Sequence, residues 1–132
     1  MAGEATITTL GDEECWEVLG TRSIGRLATA VGGEPEIFPV SFGVAERRLY
    51  FVTMPGTKLV ELVVNSRVAF ESDEHTEQTA TSIVVKGVAE LLDTDADIAE
   101  AEATGVRPFA DSGQSIWVRI TPTQVSGRRL TR

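Results

Sequence analysis

Three β-type segments follow one another between Ile24 and Thr53 with no room for a crossover, and this spacing restricts the fold more than any other feature. Ile24–Val31 closes at the turn pair Gly32-Gly33, Glu36–Val44 follows, and Ala45-Glu46-Arg47-Arg48 leads into Leu49–Thr53. Parallel neighbours need connections of a dozen or more residues, so hairpins this short force antiparallel pairing. Further on, Arg67–Asp73 sets Val68 and Phe70 on one side, and Thr81–Leu92 is rich in Val and Ile. Ser115–Leu130 reads as a strand through Ile116, Val118 and Ile120, a bend at Pro122, and a short strand around Val125. Pro39, inside the second segment, marks an edge, a bulge or an N–H side open to solvent.

About six strands result, with helices expected at Asp12–Leu19, where Asp12 suits the cap, at Thr57–Asn65 and at Asp93–Ala103. In the second of these, Leu59, Leu62 and Val63 have the spacing of a core-facing stripe. Strands this apolar need their edges hidden. The economical architecture is mainly β: a closed or nearly closed antiparallel barrel with two or three peripheral helices.

Composition narrows the function by exclusion. The 132 residues suit one domain, 1–132, and the net charge of −8 opposes nucleic-acid binding, which depends on neutralising phosphates. No apolar run approaches the roughly 18 residues of a membrane span. Met1-Ala2-Gly3-Glu4 has neither the basic flank nor the apolar core of a secretory signal, so the cytoplasm is the expected compartment. Cys15 is the only cysteine and His75 the only histidine. A cysteine metal cluster cannot be assembled, and a single His in a run of Asp, Glu and Thr argues against a His-based metal site or a Ser-His-Asp triad, so Cys15 is expected buried and inert and His75 exposed.

One segment carries positive chemistry. In Leu49-Tyr50-Phe51-Val52-Thr53-Met54-Pro55-Gly56-Thr57-Lys58-Leu59, a strand ends in a Pro-Gly turn and Thr-Lys opens an apolar helix. This order gathers a hydroxyl, an ammonium and the unpaired N–H groups of a helix N-terminus, a set suited to a phosphate. Lys58 is one of only two lysines. On this segment alone the same residues also read as a plain helix start, Thr57 capping and Lys58 in solvent, which is the commoner use of such a turn.

Read in order, seven stretches resemble the pyridoxamine 5'-phosphate oxidase-like, FMN-binding split-barrel proteins, in particular their small bacterial branch. They are Gly25-Arg26-Leu27-Ala28, Phe38-Pro39-Val40-Ser41-Phe42, Thr53 to Leu59, Val68-Ala69-Phe70-Glu71, Val84 to Glu90, Trp117-Val118-Arg119-Ile120 and Gly127-Arg128-Arg129. The resemblance implies a six-stranded, Greek-key split barrel that forms a homodimer with FMN in a groove between subunits. It implies an oxidoreductase passing electrons or hydride to or from a small organic molecule.

Carried onto this chain, it places Thr57 and Lys58 on the phosphate and Val52 and Thr53 along the ribityl chain and ring. Backbone groups of Phe38, Pro39, Val40 and Ser41 would meet the polar edge of the isoalloxazine. Trp117, Arg128 and Arg129 would reach in from the partner subunit, although Trp117 also suits a core or interface role. Flavin chemistry resides in the cofactor, which accounts for a site with no dedicated acid or base. The alternatives are a deazaflavin-dependent reductase, a non-catalytic flavin carrier and a cofactor-free dimeric barrel.

Overall fold

A computed structural model describes residues 6–107 and 115–132, apart from the side chain of Thr57. Among them the elements run β1 (Thr6–Leu10), α1 (Asp12–Gly20), β2 (Ile24–Val31), β3 (Glu34–Ser41), β4 (Gly43–Ala45), β5 (Arg48–Thr53), α2 (Thr57–Val64), β6 (Arg67–His75), β7 (Thr79–Leu91), α3 (Asp95–Glu102) and β8 (Ile116–Thr131). All pairings are antiparallel, in the order β3-β2-β6-β7-β8-β5-β4, and β3 approaches β5 across the split. The sheet curls into a half-barrel, the expected split-barrel class.

Two local features raise the strand count above six, and a third joins what was expected as two pieces. The second segment breaks at Phe42 into β3 and β4. β1, which sequence reading did not distinguish, adds itself to the end of β8, from Leu10 opposite Gly127 to Thr6 opposite Thr131. The bend expected at Pro122 is a bulge inside one long strand: Lys86 faces Gln124 and Gly87 faces Pro122, leaving Thr123 as the extra residue. A Cβ on Gly87 would run into the Thr121 carbonyl, so the bulge requires glycine there. β8 thus carries β7 along one edge and divides its other edge between β5 and β1.

Alternation sorts the side chains. Leu27, Leu49, Phe51, Phe70, Ile83, Val85, Val118 and Ile120 fill the barrel, where Phe42 meets Phe70 edge-to-face at 4.7 Å between centroids. Residues of opposite parity on β5 and β8, Tyr50 and Trp117, pack instead with Leu92, Ile98 and Ala101 beneath α3. Cys15 is fully buried, as expected, and His75 is exposed at the end of β6. The cap of α1 is Gly11, not Asp12. Asp12 is the first helical residue and, with Glu13 and Glu14, favours the positive end of the dipole.

Candidate functional site

The turn after β5 delivers α2 to the open end of the barrel. Gly56 occupies the cap position, with no side-chain cap hydrogen bond there, and Thr57 is the first helical residue of α2. The Thr57 side chain lies outside the described residues. At 100° per residue the buried arc of α2 holds Lys58, Leu59 and Leu62, while Val60, Val63 and Val64 are 62%, 69% and 63% exposed. Val63 therefore faces away from the core. The stripe begins one position earlier than its leucines suggest.

Lys58 is turned inward. Its Nζ lies 5.3 Å from the ring centroid of Phe38 on β3 and 5.9 Å from that of Phe51 on β5. It spans the split between the two strands and takes the ring faces as partial substitutes for an anion. No described carboxylate pairs with it, and burial alone pushes its pKa below the ordinary lysine value. Glu61, three residues on, turns elsewhere. It accepts a 2.8 Å hydrogen bond from the buried Thr29 hydroxyl, and its charge pushes the Glu36 carboxyl up.

The structure brings some expected residues together and separates others. Phe38 and Lys58 are in contact, and Val52 and Thr53, both partly buried, end β5 immediately before the turn. Pro39 is exposed on a strand at one end of the sheet order, where its missing N–H costs no ladder bond; Val40 points into the core, leaving only its backbone to a ligand. Trp117 lies opposite Val52 across the β5–β8 ladder and packs beneath α3 in its own chain.

Arg128 and Arg129 stand on the far arm of β8, opposite Ser82 and Thr81 of β7. Arg129 is engaged there, Nη1 to Glu14 at 3.2 Å and Nε to the Thr81 hydroxyl at 3.4 Å. Within one chain they do not meet Lys58. Phe51, absent from the expected set, completes the Lys58 environment. Its parity on β5 was the available signal, since it must share the inner face with Leu49.

Chemically, the arrangement offers a cation with no carboxylate partner among the described residues, beside a helix N-terminus with glycine at its cap position and next to a strand at one end of the sheet order. Among the described residues no group of His, Cys, Asp and Glu could hold a metal ion.

A family model described as pyridoxamine 5'-phosphate oxidase matches residues 11–129. The solved structure of an FAD binding protein from Mycobacterium smegmatis is 38% identical, with 95% of this chain and 99% of that chain covered and a TM-score of 0.85. An FAD-binding protein from Mesorhizobium loti is 32% identical over 93% of this chain and 97% of its own, with a TM-score of 0.82. An uncharacterized Mycobacterium tuberculosis protein, Rv3129, is 36% identical over 87 residues, 66% of this chain and 79% of that protein.

Proposed function

Because this chain belongs to the pyridoxamine 5'-phosphate oxidase family, we propose that it binds a flavin through a phosphate held by Lys58 and the N-terminus of α2. The observation that carries this reading is Lys58 itself: a partly buried ammonium with no carboxylate partner among the described residues, at the start of a helix whose cap position is a glycine. A phosphate carrying about −1.5 to −2 charge supplies the missing counter-ion and accepts the free N–H groups. The residues present fit such a group. Thr57 and Lys58 take the phosphate, Val52 and Thr53 border the ribityl chain, and the backbone of Phe38–Ser41 meets the ring edge.

The flavin, when bound, supplies hydride and electron transfer to or from a small organic molecule. The chain's own residues bind, orient and exclude water. FMN satisfies the phosphate site. FAD is favoured by two relatives described as FAD-binding, and a deazaflavin is the remaining alternative. The reading includes a homodimer, because Arg128 and Arg129 reach the site only from a second subunit. The exposed Val60, Val63 and Val64 stripe offers an apolar surface for such a contact.

The test is the absorption spectrum of purified protein, followed by heat release and chromatographic identification of any cofactor. Oxidised-flavin bands, or saturable uptake of FMN or FAD by colourless protein, are expected. Failure to take up FMN, FAD or a deazaflavin would overturn the reading. Light scattering of Val63→Asp tests the dimer: loss of dimer mass is expected, and an unchanged mass would remove α2 from the contact.

A further inference from the structure

A hollow of about 650 Å³ lies on the outer face of the sheet, where β2, β6 and β7 run side by side. Register and alternation build it. Ala28 stands opposite Ala69, Ala69 opposite Lys86, and Arg67 opposite Val88. Their neighbours along the strands, Leu27, Val68, Phe70, Val85 and Ala89, belong to the barrel core, so these five residues share the face turned away from it. All five line the hollow, and the two alanines leave its middle low. Asn65, also lining it, donates to the Ala30 carbonyl at 2.8 Å and accepts from the Arg67 N–H at 3.1 Å, which ties the start of β6 to β2.

The charge of this hollow is one-sided. Arg67 and Lys86 line it and no acidic residue does, in a chain of net charge −8. The two are diagonal neighbours across the β6–β7 ladder, within reach of one another as long side chains. Glu71, next along β6 on the same face, pairs with Arg26 at 3.1 Å and not with Lys86. Among the described residues neither Arg67 nor Lys86 has an ion pair or a side-chain hydrogen bond.

We propose that this hollow binds an aromatic phosphomonoester, its phosphate between Arg67 and Lys86 and its ring over Ala28 and Ala69, against Val88. A phosphate carries about −1.5 to −2 charge near neutral pH and three acceptor oxygens, enough to meet both cations at once. Arg67 contributes a planar fork of N–H donors and Lys86 a mobile point charge. Two alanines on adjacent strands make an apolar floor on which a flat ring rests without displacing a larger side chain. No residue of β5 or α2 lines the hollow, Lys58 included. It is therefore a second site, and the inference does not rest on the flavin reading.

The test is titration of the purified protein with phenyl phosphate, followed by calorimetry and by backbone amide spectra, with phenol as the uncharged counterpart. Saturable binding is expected, with shifts centred on Ala69 and Lys86. Phenol, and phenyl phosphate with Arg67→Gln or Lys86→Gln, should each bind about 10-fold more weakly, the order of one lost charge-assisted contact. Both substituted side chains belong to exposed residues, so the variants are expected to fold as wild type. Ala69→Leu raises the floor without altering charge and is expected to lose the probe. Lys58→Ala is expected to bind it as wild type does. No saturable binding, equal affinity for phenol, or full affinity in Arg67→Gln and Lys86→Gln would overturn the proposal, and full affinity in Ala69→Leu would overturn the seat of the ring. Loss of the probe in Lys58→Ala would move it to the start of α2 and overturn the second site. Flavin uptake is scored separately by visible absorbance, so either reading fails without the other.

Discussion

The two faces of β5 each receive a cation withdrawn from water, and the two cations are treated oppositely. On the outer face Arg119, 11% exposed, lies against Glu90 at 2.8 Å, Asp97 at 3.1 Å and Glu100 at 3.9 Å, while Tyr50 donates to Glu100 at 2.7 Å. These contacts push the Arg119 pKa up and hold Asp97 below the usual carboxylate range, chiefly through the Arg119 hydrogen bond. On the inner face Lys58 has two ring faces and, among the described residues, no carboxylate, and burial pushes its pKa down. A saturated cation fastens α3 to the barrel. An unsaturated one costs stability, and the fold retains it where an anion is to be bound. Stability and binding are therefore expected to separate cleanly between Arg119 and Lys58.

The strongest attempt to break this contrast is Arg119→Met. It leaves three carboxylates facing one another without their cation. The carboxylates are a third to a half exposed, so solvent screening lowers the cost from that of a buried pair to about 2–3 kcal/mol. Urea unfolding measures it, and a loss under about 0.5 kcal/mol would mean the clasp is decorative. The pH dependence has a defined sign. Asp97 has a depressed folded pKa, so its contribution is present above the unfolded value near 3.9 and lost as pH falls through the folded one. The difference between wild type and Arg119→Met should stay flat from about pH 5 to 8 and shrink below about pH 4.

Lys58→Ala sharpens the contrast from the other side. Removing one charge-assisted phosphate contact should weaken flavin binding about 30-fold, roughly 2 kcal/mol, without lowering the urea midpoint. Arg119→Met, titrated under conditions where it is folded, should change flavin affinity by no more than about threefold. Fluorescence titration reads both. Unchanged flavin affinity in Lys58→Ala would remove the phosphate assignment, and equal losses in both variants would collapse the distinction.

Why one cation was legible in the sequence and the other was not follows from range. Lys58 stands in a local strand–turn–helix pattern, and the antiparallel class follows from hairpins of a few residues. Arg119 gains its meaning from Glu90, Asp97 and Glu100, which reach it only through the β7–β8 register and the packing of α3. Val63 shows the same limit: three apolar residues at helical spacing fix an amphipathic helix but not which arc of a mostly apolar one is inward. The β3–β4 break and the single bulged β8 depend on tertiary pairing that Pro39 and Pro122 hint at without locating. Arg128 and Arg129 lie at the far arm of β8, and no reading of one chain brings them to Lys58.

The smallest expected effect is also the most diagnostic. Lys58→Met keeps the length and apolar stem of the side chain and removes the unpaired charge, so it should stabilise the ligand-free protein by about 0.5–1 kcal/mol at pH 7. The sign with pH follows from the lowered folded pKa. Below that pKa both states hold the proton and the burial cost is fully present. As pH rises from the folded value toward the ordinary 10.5, the unfolded chain holds the proton that the folded chain has released, and wild-type stability rises relative to Lys58→Met. Binding runs the other way. A phosphate restores the charged form, so flavin affinity should fall over the same alkaline interval, with proton uptake measured by calorimetry in two buffers of different ionisation enthalpy. Arg119→Met should leave that uptake unchanged. Uptake that vanishes in Lys58→Met and persists in Arg119→Met would assign the anion to the inner face of β5; uptake unaltered by Lys58→Met would place it elsewhere.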